Sequence, residues 1–389
     1  MKKRFKPILI NAIIFITAVV LFAIFRPYFH ILFGSYLKVP FYYHILIFLA
    51  SYFIVVLLHE LAHAVAFLIK GIKPKMILVL MFLFYKDTRW HLKINPKLMV
   101  LGGGMVMPNF QAIQSQKDID YLKKATAFSL ITAPTFTVVF ASLLLLTNLI
   151  FFYDTPLTVF AFYIALFSAF FTYTSTLSAQ GIYGDFVAHK RINTDPMFAL
   201  SIVTQFVDDL NPFLIDEMRK RLFEHIPSDF SIHLLNFYQV LLNKGIYEDS
   251  EIDELLLEKT RVLAKSSVIG RRIARQYQQP LILQQAILYL YRCQEYELVD
   301  RLMVLFEAEL DRVKTKQPVK QYYMKQTNHL LNRIDASEYL NDTRPFHLGL
   351  MDLIVSNIPE YQADEKAHLK PIERFEKKEM IHLDNEELM

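Results

Sequence analysis

Long apolar runs crowd the first half of the chain, whereas the second half alternates apolar and charged positions at helical spacing. Pro7 to Phe25 is predominantly apolar and, at ~1.5 Å of rise per residue, long enough to span a bilayer. It follows the basic Met1 to Lys6, and the bulky residues after it offer no small-x-small cleavage site, so it reads as a signal anchor with its N-terminus inside. Arg26 to Pro40 is an aromatic loop suited to the outer interface, which completes a first segment, 1–40. The second run, Phe41 to Ile69, ends in Lys70 and is followed by Lys73 and Lys75, so it runs from outside to inside. A third span is expected from about Ala125 to Phe152 and a fourth from Leu157 to Gln180, joined by Tyr153 to Pro156. Four spans put Lys70 to Lys75, Lys123-Lys124 and His189-Lys190-Arg191 on one side, the cytoplasmic one.

Between the second and third spans the pattern changes. Ile77 to Tyr85 is too short a run for a helix to cross, Arg89 to Ile94 alternates, and Asn95-Pro96 and Gly102-Gly103-Gly104 punctuate the rest. Short runs between turn residues predict strands in a hairpin that dips into the inner leaflet, where protein or water must cover its backbone. From Pro196 onward, segments such as Phe230 to Leu242, Pro280 to Cys293 and Tyr296 to Val313 read as amphipathic helices, without a clean 34-residue repeat. The expected fold class is therefore an all-α polytopic membrane protein of about four transmembrane helices. It carries a small membrane-associated β-hairpin and a helical soluble C-terminal domain. The core is expected at 41–195, the helical domain at 196–361 on the cytoplasmic side, and a charged tail at 362–389, with both termini cytoplasmic.

Composition agrees with this division: 53% of residues are hydrophobic and 14% aromatic, rich for a soluble chain. A net charge of +4 supplies no whole-chain basic field for nucleic acid. The single cysteine, Cys293, excludes a disulfide framework and reads as an ordinary buried residue.

The chemistry concentrates in the second run, at His59-Glu60-Leu61-Ala62-His63. On a helix His59 and His63 stand one turn apart on one face, as two ligands of a single zinc must, with Glu60 beside them. Ionisable groups at membrane depth are costly and default to a functional reading. His63 stands seven positions before Lys70 and His59 eleven, which places them roughly 10 and 16 Å from the inner end. A catalytic zinc takes three protein ligands and keeps a position open. The candidates for the third are Asp185, Asp154, Asp87 and His189. Asp154 lies in the outer loop, a full span away, and Asp87 suits a solvated turn beside Lys86 and Arg89. Asp185 follows the fourth span between Gly184 and Phe186, where glycines could fold the carboxylate back, so it is the favoured ligand over a helix-capping role. His189 suits the interface. Gly102, Gly103 and Gly104 would let a substrate backbone approach closely, or would simply form a flexible turn. Trp90 suits an interfacial anchor.

A His-Glu-x-x-His in one apolar span, a strand-like segment after it, and an aspartate near the end of a later span resemble the site-2 protease family of intramembrane zinc metalloproteases. The resemblance covers about Phe41 to His189. Ala133-Pro134-Thr135-Phe136-Thr137 stands where family members carry Gly-Pro-x-x-Asn, and Gly184-Asp185-Phe186 where they carry Leu-Asp-Gly; no PDZ insertion is recognisable. The resemblance implies one Zn2+ per chain on His59, His63 and Asp185, and Glu60 as general base in the hydrolysis of membrane-embedded or membrane-associated peptides. No oxyanion partner is readable from the sequence; Thr137 and Asn109 are open candidates. The expected partners are such a peptide, the lipid bilayer, and a protein bound by the C-terminal helices. Two rivals stand beside this reading. A zinc peptidase with glutamate as third ligand needs a glutamate that 112–200 lacks. A protease-like membrane scaffold, or a peptide-transport or immunity partner, would leave the intact pentad unexplained.

Overall fold

The computed structural model describes residues 39–152, 155–179, 182–207, 210–276, 279–312, 317–341 and 369–375. The expected first span, Asp154 and most of the charged tail lie outside these residues. The described residues are mostly helical, with a small four-stranded sheet and a two-stranded pair, and resolve into two compact units. One unit runs to Pro108 and takes in 124–177 and 183–190; the other takes in 109–123, 178–182 and the chain from Arg191 onward.

In the first unit, α1 (Phe41–Ile69) starts after Pro40, whose fixed φ suits a helix entry. It ends in a Schellman turn: Gly71 adopts φ 74°, its N–H donates to Leu68 O, and Ile72 N–H donates to Phe67 O. α2 (Gln116–Phe151) and α3 (Pro156–Thr174) follow, and α1, α2 and α3 are each long and apolar enough to cross a membrane. Their shared core joins Val55 of α1, Ala141 of α2, and Val159, Tyr163, Ile164 and Phe167 of α3. Leu46, Leu49, Val65 and Leu68 on α1, and Val139, Leu143 and Leu146 on α2, remain exposed, an apolar surface far larger than a water-facing helix presents.

Two expected boundaries move. α2 begins well before Ala125, because Ser115 Oγ and the Gln114 N–H both donate to the Asp118 carboxylate and start the helix in the polar stretch. α3 stops at Thr174 rather than Gln180. The hydroxyls of Thr174 and Ser175 both donate to Phe171 O and that of Thr176 to Tyr173 O, competing for the carbonyls of the last turn.

The expected hairpin is a four-stranded antiparallel sheet instead. Strands β1 (Pro74–Val79), β2 (Phe82–Lys86), β3 (Trp90–Ile94) and β4 (Gly104–Pro108) are ordered β3-β2-β1-β4. The apolar run Ile77 to Tyr85 is two strands joined at Leu80-Met81, with Val79 opposite Phe82. Leu80 takes φ 53°, a conformation turns usually give to Gly or Asn. It is held there because its N–H donates to Gly103 O and its side chain packs with Val56 and Val79. β4 is an edge strand, paired to β1 with Val79 opposite Gly104. A short pair, β5 (Ser178–Ala179) and β6 (Ile182–Tyr183), precedes α4 (Asp185–Thr194).

The second unit is built of helices α5 (Pro196–Thr204), α6 (Pro212–Phe223), α7 (Ile232–Tyr247), α8 (Glu254–Lys265), α9 (Ser267–Arg271), α10 (Leu281–Arg292), α11 (Tyr296–Arg312), α12 (Gln317–Leu330) and α13 (Ser337–Asn341). α10 packs on α7 and on α11, and α8 on α11, so successive helical hairpins stack side by side. Ion pairs 34 positions apart tie the stack: Arg219 to Asp253, Arg261 to Glu295, and Arg275 to Glu309. No fixed repeat is visible in the sequence because α9 and a π-helical turn, Arg272–Gln276, intervene between the α7/α8 and α10/α11 pairs. Lys259 is buried beneath Phe230 and its Nζ donates to the carbonyls of Ile226, Pro227 and Asp229; burial pulls its ammonium down to about 8. Cys293 is half-buried, and burial pushes its thiol up to about 12.

Candidate metal centre

His59 and Glu60 are buried on α1 and His63 is largely so, one turn further along. The helix sets the two imidazoles edge to face with ring centres 5.0 Å apart. Asp185 reaches them from the first turn of α4. Its Oδ2 lies 3.0 Å from His59 Nε2 and 3.5 Å from His63 Nε2. All three ligand atoms fall within 4.8 Å of one another, and they are the only such group of metal-capable side chains among the described residues. Tetrahedral zinc with donors at about 2.1 Å would hold them roughly 3.4 Å apart, so the N, N, O set fits such an ion in both chemistry and spacing.

Local chain geometry explains how Asp185 arrives. Gly184 N–H donates to Leu177 O and Phe186 N–H to Ser175 O, folding the start of α4 back on the end of α3. A Cβ on Gly184 would stand 2.4 Å from Thr174 O and 2.6 Å from the Ser175 backbone, so only glycine permits the return. His189, one turn beyond Asp185, takes no part in the donor group; its Nδ1 lies 2.8 Å from Ala127 O on α2. Asp87 is exposed in the β2–β3 turn, where its N–H donates to Arg89 O, and it takes no part in the cluster. Trp90 is exposed at the start of β3.

Glu60 points to the sheet side of α1. A Cβ on Gly104 would lie 2.4 Å from Glu60 Cγ and 2.4 Å from Leu78 O, so edge strand β4 passes directly over the glutamate because residue 104 has no side chain. The other two glycines have different tasks. Gly102 takes φ 59° to close the 3-10 turn Pro96–Leu101, and its carbonyl accepts from the Tyr52 hydroxyl. The Gly103 carbonyl accepts from Leu80 N–H, which clamps the β1–β2 turn.

Each imidazole also has a partner on its far side. His59 Nδ1 lies 3.3 Å from Thr137 Oγ1 and His63 Nδ1 3.0 Å from Ser129 Oγ, both on α2. Ser129 escaped sequence reasoning, and Thr137 entered it only as an oxyanion candidate. The available signal was their shared face: Ser129, Ala133 and Thr137 recur every four residues through an otherwise apolar helix. Comparison with protein-family models, with curated proteins and with solved structures finds no match to this chain.

Proposed function

We propose that this chain is an intramembrane zinc metallopeptidase that hydrolyses peptide bonds of membrane-embedded or membrane-associated peptides. The observation that carries the proposal is the convergence of His59, His63 and Asp185 on one point, with the buried Glu60 next to His59 on the same apolar helix. Zinc bound there would act as a Lewis acid, acidifying a water and polarising the scissile carbonyl. Glu60 takes a proton from that water as the new C–O bond forms and returns it to the amine nitrogen as the C–N bond breaks. Hydrolysis then leaves one carboxyl and one amino terminus.

A helical substrate hides its amides in its own backbone bonds and must unwind to be cut. β4, an edge strand among the described residues, offers ladder hydrogen bonds to an unwound segment, alongside Glu60. The proposed topology has four spans, the first at Pro7 to Phe25, with both termini and the stacked helices in the cytoplasm, as the basic clusters require. The helices from Pro196 onward would then form a soluble domain, free to bind a protein partner.

Comparing membrane proteomes of cells that carry wild-type or Glu60→Gln protein tests the reading. Single-span peptides should accumulate intact in the variant, and identical proteomes would refute it. Gly104→Ala probes the β4 approach. The added methyl must displace either Glu60 or the β1 backbone, and a misplacement of that size costs on the order of 10²-fold in rate. The variant should keep its zinc while cleavage of a purified peptide falls by that factor; an unchanged rate would remove Gly104 from the account.

A further inference from the structure

Both metal-facing imidazoles are backed by a hydroxyl whose own proton is already engaged. Thr137 Oγ1 donates to Ala133 O at 2.7 Å, and Ser129 Oγ donates to His63 O at 3.3 Å. A hydroxyl has one proton to give. Toward the histidines, Thr137 Oγ1 and Ser129 Oγ are therefore acceptors, and the proton in each contact belongs to the imidazole Nδ1. We propose that Thr137 and Ser129 are positioning residues that hold His59 and His63 in the Nδ1–H tautomer, so that both Nε2 lone pairs face Asp185.

The alignment of the helices makes the pairing specific. His59 meets Thr137 and the later His63 meets the earlier Ser129, so α1 and α2 run in opposite directions here and present matched polar stripes. Thr137 and Ser129 are both fully buried, at 1% exposure each, so water does not compete for either contact. Without the hydroxyls each imidazole is free to move its proton to Nε2 and hydrogen-bond Asp185 directly, which closes the donor group against a cation. A role as plain glue between helices would require only some polar contact; here both acceptors point at the nitrogen that must not bind metal. This assigns Thr137 a place behind a ligand, not at the oxyanion.

The proposal rests on the metal reading of the cluster, and the test separates the two. The probe is zinc, titrated into the full-length, detergent-solubilised chain against a chromogenic chelator. Thr137→Val and Ser129→Ala should each weaken zinc binding by about 10–100-fold while helicity and thermal midpoint stay near wild type, and Thr137→Ser should retain wild-type affinity. A merely space-filling role predicts the opposite order, with Thr137→Val neutral and Thr137→Ser harmful. That order, or wild-type affinity in both Thr137→Val and Ser129→Ala, overturns the proposal alone. A wild-type chain that takes up no zinc overturns the metal reading and this proposal together.

Discussion

Glu60→Gln should bind one zinc per chain and lose peptide cleavage by about 10²–10⁴-fold, the range that a positioned general base contributes. The substitution keeps the shape of the side chain, so the close packing against Gly104 survives. It replaces a carboxylate able to accept a proton with an amide that cannot. Glu60 supplies none of the three donor atoms, so metal binding is left intact. Turnover of a purified single-span peptide, measured beside metal content in the same preparation, reads both halves. Equal turnover in wild type and Glu60→Gln would reject Glu60 as the base, and a variant without zinc would show that the residue instead builds the metal site.

His59→Ala should empty the site. Removing one of two imidazole ligands leaves His63 and Asp185, and the loss of affinity should exceed the roughly 10–100-fold that orienting partners supply. Asp185→Ala should lower occupancy in the same way, because no other carboxylate among the described residues joins the cluster. Asp87→Ala, in an exposed turn, serves as the control and should leave zinc unchanged. Metal analysis after dialysis against a weak chelator checks the set. Full zinc retention in His59→Ala would contradict the ligand assignment, and loss in Asp87→Ala alone would place the third ligand elsewhere.

How far the chain could be read in advance differs from element to element. The helical pentad was legible because one-turn spacing alone puts His59 and His63 on one face, and the basic residue after Ile69 marks where that helix ends. Asp185 was legible through Gly184, since a glycine just before a lone carboxylate signals a chain that turns back sharply. The sheet was only half legible. Its tightest turn is Leu80-Met81, two apolar residues whose conformation is imposed by packing on Val56 and by Gly103, not by local preference. The three adjacent glycines read as one feature but serve separate ends: a left-handed cap at Gly102, a carbonyl acceptor at Gly103 and a close approach at Gly104. The hydroxyls of Ser129 and Thr137 were the hardest to see, because in one sequence a serine in an apolar span looks the same whether or not a histidine stands across from it. The helical stack was hidden by the inserted α9 and π-helical turn, which put corresponding helices at unequal spacings.

The most direct measurement is mass spectrometry of a single-span peptide reconstituted in liposomes with the purified, zinc-loaded wild-type chain. Two new termini should appear with time within the peptide's apolar segment and be abolished by a chelator or by Glu60→Gln. An intact peptide beside a chain shown to hold its zinc in the same liposomes would contradict it.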